Sequence, residues 1–208
     1  MSLAIVILLA GPLLLFNPVF TSVLQDRRGV AEAFGVTSDE VHRVTTELLA
    51  DIWTDGAFDG GFAGDGPLLD PRERSHMHDV AGFVRILGGL VVLAAVLAAI
   101  CLIWLRREPR RQGAVMLLAG GGIGLAGLVL AIVFAVAFEP AFLAFHALFF
   151  PPGTYLFPTD SDLITLFPGG FWFDASLAAG AVVLVAAVVA SAVGYVRWRP
   201  AAPGTSRA

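Results

Sequence analysis

Ile86-Leu87-Gly88-Gly89-Leu90-Val91-Val92-Leu93-Ala94-Ala95-Val96-Leu97-Ala98-Ala99-Ile100-Cys101-Leu102-Ile103-Trp104-Leu105 carries no ionisable side chain, and Arg106-Arg107-Glu108-Pro109-Arg110-Arg111 follows at once. About 20 helical residues cross roughly 30 Å of hydrocarbon. In lipid the backbone must bond to itself, so such a run reads as a membrane helix. Three more stretches fit the same description: 3–24, 113–138 and 175–196. The first lacks a basic leader and an A-x-A cleavage pattern. It therefore reads as a retained helix, with a bend expected near Asn17-Pro18. The expected fold is an all-α membrane protein, one domain over 1–208 with four transmembrane helices.

Arginine sets the expected orientation. The short link 106–111 holds four Arg, and Arg197, Arg199 and Arg207 follow the last stretch. Short basic loops stay cytoplasmic. Both termini are then on the cytoplasmic side of the membrane, with outer loops 25–79 and 139–174. The acids agree: 16 of the 17 Asp and Glu fall in those outer loops.

Composition narrows the function. The 208 residues are 57% hydrophobic and 14% charged, with net charge −4 and mean hydropathy +0.81. That excludes a disordered chain and argues against a nucleic-acid binder. The one cysteine, Cys101, forbids an intrachain disulfide. The later three stretches hold no charged residue to mark an ion pathway. Gly120-Gly121-Gly122-Ile123-Gly124 offers a G-x-x-x-G spacing, read as close packing inside the bundle.

The outer loops have distinct characters. Thr37-Ser38-Asp39-Glu40 is a capping box. Val41, Val44, Leu48 and Ile52 then recur at helical spacing. An amphipathic extracytoplasmic helix over 38–52 follows, its apolar side against the bundle or the bilayer. Residues 56–66 are glycine-rich and read as mobile, with Phe58 and Phe62 dipping into lipid or incidental. Residues 138–173 hold 11 of the chain's 22 aromatic residues, an aromatic-rich interfacial loop. Within it Thr159 is expected to cap a short helix over 160–166, ended by Pro168. The aromatic residues anchor the segment, line an acyl-chain pocket, or do both.

Four histidines, His42, His76, His78 and His146, all fall on the outer side. Antiparallel neighbouring helices bring His76 and His146 to the same membrane face. Three readings compete. The imidazoles hydrogen-bond to neighbours. Or His76-x-His78-Asp79 binds a metal, although that spacing splits the pair across a helix. Or one or two histidines act as general acid and base at the lipid boundary. There is no G-x-S-x-G elbow and no phosphate loop or H-E-x-x-H.

Glu73-Arg74-Ser75-His76-Met77-His78-Asp79-Val80 resembles an E-x-x-H-M-x-D-V signature of small four-span bacterial membrane proteins. Phe145-His146-Ala147-Leu148-Phe149-Phe150, with Asp160-Ser161-Asp162-Leu163-Ile164 and Pro168, resembles their second signature. That family includes the lipoprotein intramolecular transacylases (Lit). Two positions depart from the pattern. Ala81 and Gly82 follow the D-V pair, and the first basic residue is Arg85; Tyr155 stands where Trp is expected.

The resemblance implies an acyltransferase working in the membrane on a diacylglyceryl lipoprotein. It moves an acyl chain from the glyceryl group to the amine of the N-terminal cysteine, without metal or cofactor. It implies His76 and His146 as catalytic residues. Around them, Glu73 or Asp79 is expected to orient an imidazole, and Arg85 or Tyr155 to steady the oxyanion. Asp160 and Asp162 fall in the second signature, and the acidic exterior is expected to attract the substrate's α-ammonium. The competing function is non-enzymatic: a membrane protein binding lipid or a protein partner at the outer leaflet.

Overall fold

The computed structural model describes residues 1–199; Arg207 lies outside the described residues. Among the described residues the chain is helical throughout. Nine α-helices follow in order: α1 (Ser2–Ala10), α2 (Pro18–Arg27), α3 (Val30–Phe34), α4 (Ser38–Thr54), α5 (Pro71–Trp104), α6 (Pro109–Val136), α7 (Phe138–Phe149), α8 (Asp162–Leu166) and α9 (Gly169–Trp198). Three of them, α5, α6 and α9, are long and apolar enough to cross a membrane.

The stretch 3–24 turns at Asn17-Pro18 as expected, but it is interrupted earlier as well. It breaks into α1, a 3-10 turn over Pro12–Phe16, and α2. Pro12 and Pro18 each lack the N–H that would continue a helix. Asn17 turns extended between them, and its side chain accepts from the Phe20 N–H to start α2. Gly11 has a reason of its own: a β-carbon there would strike the Ala179 carbonyl of α9.

Packing differs between the two ends of the molecule. Along the apolar lengths of α5, α6 and α9 many large side chains face outward, such as Ile100 at 58% exposure. Lipid is as apolar as these residues, so nothing drives them inward. Close helix approach fills that role instead. Gly113, Gly120 and Gly127, spaced by seven, all face α9. A β-carbon on Gly120 would lie 2.6 Å from the Ala187 carbonyl oxygen, whereas one on Gly121 or Gly122 would meet open space.

The largest buried cluster lies at the end that carries the histidines. It joins α2, α3, α4, the first turns of α5, α8 and the start of α9. Here α4 buries Val41, Val44, Leu48 and Ile52 against the bundle. Its Thr37–Glu40 capping box is formed.

Three readings of the outer segments change. Phe58 is 0% exposed and belongs to this core instead of dipping into lipid. Its N–H donates to Asp51 Oδ2 at 2.8 Å, which pins the glycine-rich turn. The aromatic segment is not all loop, because 138–149 form α7. And α8 starts at Asp162 with Ser161 as its cap, not Thr159: Ser161 Oγ accepts from the Ile164 N–H.

Candidate active site

Pro71 opens α5, with Asp70 as its cap. The Asp70 carboxylate accepts from the Arg72 and Glu73 N–H groups. The helix is continuous from there into the apolar stretch that starts at Ile86. His76 therefore sits on rigid backbone, in the part of α5 that precedes the apolar stretch. His146 lies near the end of α7, which leaves α6 after one irregular residue, Ala137. The two rings meet with centroids 6.1 Å apart and planes inclined by 31°.

Aromatic side chains enclose the pair. Phe150 lies edge-on to His76 at 5.1 Å, and Phe157 lies at 5.6 Å from it. Phe142 packs 4.2 Å from the His146 ring and Tyr155 lies 5.4 Å from it. Trp172 of α9 backs Phe142 at 5.8 Å. Few polar groups reach the imidazoles. His146 Nδ1 is 2.8 Å from the Phe142 carbonyl oxygen. A carbonyl only accepts, so Nδ1 carries the proton and the lone pair is on Nε2. Nδ1 of His76 is buried and has no partner among the described residues.

This enclosure sets the charge state. Burial pushes the His76 pKa down to about 4, and the neighbouring His146 pushes the same way. Burial also lowers the His146 pKa, opposed by its bond to the Phe142 carbonyl. Both shifts favour the neutral imidazole, because desolvation penalises the charged form.

The remaining candidates separate into near and far. Tyr155 is beside His146. Glu73 is 1% exposed, and its carboxylate is taken up by backbone N–H groups. One oxygen accepts from the Asp70 N–H at 2.8 Å and the other from the Leu163 N–H at 2.9 Å. Glu73 thus ties α8 to α5, and among the described residues it makes no hydrogen bond to a histidine. Asp79 bonds to neither histidine among the described residues. Arg85 is paired with Asp55 at 2.8 Å. Asp160 is exposed. Asp162 starts α8, where burial and then the charges of Glu73 and Asp70 raise its carboxyl pKa. His42 pairs with Asp26 at 2.8 Å, and His78 stacks edge-on with Phe58 at 5.0 Å.

Phe83, Phe142 and Trp172 were not among the sequence candidates. Phe83 follows His76 by seven residues and Phe142 precedes His146 by four, so helical spacing put both on the histidine faces. Nothing in the sequence brought Trp172 there.

A model of one family, "Lipoprotein intramolecular transacylase Lit", matches residues 1–172. The chain belongs to the Lit family. The membrane-integral Lit of Bacillus cereus has a similar fold: TM-score 0.80 at 20% identity, covering 94% of this chain and 90% of that one. Two variants of the Bacillus cereus Lit, with one histidine replaced by arginine or by alanine, match at TM-score 0.75. Their identities are 18% and 19%; each match covers 94% of this chain, and 87% and 88% of the variant chains respectively. No curated relative matches. Membership makes this a membrane-integral, lipoprotein-related transacylase fold.

Proposed function

We propose that this chain moves an acyl chain from the glyceryl ester of a diacylglyceryl lipoprotein to the α-amine of its N-terminal cysteine, with His76 and His146 as the reacting side chains. The observation that carries the reading is the pair of imidazoles, 6.1 Å apart, among aromatic side chains. Ester and amine sit on one substrate, so proximity supplies much of the rate.

The roles follow from the proton positions. His146 Nε2 has the free lone pair and takes the proton as the amine attacks the ester carbonyl. The C–N bond forms, the C–O bond breaks, and His146 returns the proton to the glyceryl oxygen. No water or metal enters the balance. His76, neutral, donates a hydrogen bond to the developing or departing oxygen. Tyr155, its ring 5.4 Å from that of His146, offers a hydroxyl to assist. The substrate amine, of ordinary pKa roughly 7.7–8.0, is within reach of an imidazole base.

The arginine distribution supports a cytoplasmic position for the 106–111 link and for both termini. The histidines then face the outer side of a bacterial cytoplasmic membrane, with stretch 3–24 as a fourth, broken crossing.

The test is mass spectrometry of a lipoprotein's N-terminal peptide from a bacterium lacking other N-acylation. The intact chain should give N-acyl, monoacylglyceryl cysteine. The His146→Ala variant should leave diacylglyceryl cysteine with a free amine. A free amine in both, with the protein folded in the membrane, overturns the reading and favours a lipid- or partner-binding role.

A further inference from the structure

A thin layer of aromatic side chains lies between the histidine pair and the exposed apolar surface of α5 and α7. Phe83 is on the His76 face of α5, seven residues and about 10 Å further along the helix. It abuts Phe149 at 4.7 Å, Phe150 at 5.8 Å and Phe145 at 5.9 Å. Phe150 in turn touches His76. On the other side the layer opens outward: Phe149 is 46% exposed, and Phe145, Leu148 and Ile86 are exposed beside it.

The two sides of this seam are held very differently. Phe83 belongs to a 34-residue helix whose neighbours Ala81 and Val84 are in the core. By contrast, α7 has no fully buried residue in its 12. Among the described residues, no hydrogen bond or ion pair ties an α7 side chain to another helix. Its contacts are ring against ring, at Phe83, Phe173 and Trp172. It joins α6 at Ala137, whose backbone is outside the helical range. Local stability is lowest where buried contacts and hydrogen bonds are fewest. Parting Phe149 and Phe145 from Phe83 breaks only apolar contacts, and acyl chains replace them like for like.

We propose that the seam between α5 and α7 is the acyl-chain entry and binding site, where the substrate's chains arrive sideways from the bilayer and lie between Phe83 and the Phe145–Phe149 pair. The proposal rests on the transacylase reading and adds the route. Because α7 carries His146, the same movement opens the seam and parts the histidine pair; closure over the chains reunites it.

The experiment closes the seam chemically. In a Cys101→Ala background, Phe83→Cys and Phe149→Cys are bridged with a short bis-methanethiosulfonate reagent. Transfer is followed in detergent micelles on two lipopeptides, one dipalmitoyl and one dibutyryl. Dipalmitoyl transfer should fall about tenfold or more on bridging and return with reductant. Dibutyryl transfer should change little, since its short chains need no opened seam. As a variant without a bridge, Phe83→Trp should slow the dipalmitoyl substrate more than the dibutyryl one. Full transfer of both substrates through a complete bridge overturns the proposal, and so does an equal loss of both. If the unsubstituted chain acylates neither, the transacylase reading itself fails and the route falls with it.

Discussion

His76 and His146 come from helices at opposite ends of the sequence's middle half, yet their rings face each other at 6.1 Å. Only one of the four ring nitrogens has its proton fixed by a partner within its own helix, Nδ1 of His146. In the proposed mechanism that asymmetry makes His146 the base. His146→Ala should cut transfer by about 10²–10⁴, the usual worth of a general base. His76→Ala should also lower kcat. Mass spectrometry of the product cysteine, with a thermal midpoint to verify folding, gives both values. Two single variants that keep most of the rate would remove the pair from catalysis.

Acid should act on the same pair. Both folded-state pKa values lie below the ordinary 6.5, chiefly through burial. A group with a depressed folded pKa contributes full stability above its unfolded value. For His76 that contribution is lost as pH falls from 6.5 to about 4. The thermal midpoint in detergent should therefore drop across that window, and His76→Phe should flatten the drop. Activity should follow the same sign, falling on the acid side as the neutral base is lost. A midpoint that depends on pH equally in both proteins would deny His76 this role.

Much of this was legible in the residues. Apolar runs of about 20 give long helices because lipid leaves the backbone no other choice. The α4 helix was legible from its cap and its period. What the sequence hid has common causes. Phe58, in a glycine-rich stretch, read as either dipping into lipid or incidental, but Asp51, seven residues earlier, accepts its N–H and the ring is buried. The resemblance offered Glu73, beside Asp79, as a partner for imidazole. Its true partner, the Leu163 N–H, is 90 positions away. Residues 138–149 read as loop because aromatic enrichment masked a helical period with Phe138, Phe142, Phe145 and Phe149 on one side.

Glu73 is the next test. Its carboxylate satisfies two backbone N–H groups, one opening α5 and one in α8. Ala in its place leaves both without an acceptor. Each unsatisfied buried donor costs about 1–3 kcal/mol. Glu73→Ala should thus lose roughly 2–5 kcal/mol of stability, allowing that the Asp70 N–H finds some water. Glu73→Gln keeps one acceptor oxygen and should lose less. Chemical denaturation in mixed micelles measures both. Equal stability of Ala and Gln variants would mean that the Leu163 bond does not hold α8.

The glycines of α6 separate two explanations of their abundance. Were they merely tolerated in an apolar helix, adding a methyl group would favour the helix everywhere, since Gly is about 1 kcal/mol worse than Ala. Contact geometry says otherwise. At Gly120 the methyl meets the Ala187 carbonyl at 2.6 Å and the Ser191 N at 2.9 Å, both backbone atoms that cannot rotate away. At Gly122 it meets nothing within 4 Å. Gly120→Ala should force α6 and α9 apart and cost about 1–3 kcal/mol, the usual penalty of overpacking. Gly122→Ala should be neutral or stabilising. Thermal midpoints of the two single variants decide it, because each adds the same methyl group two residues apart on one helix. Opposite signs follow only if the side of α6 facing α9 is fixed by backbone contact; a matching response at both sites would refute that.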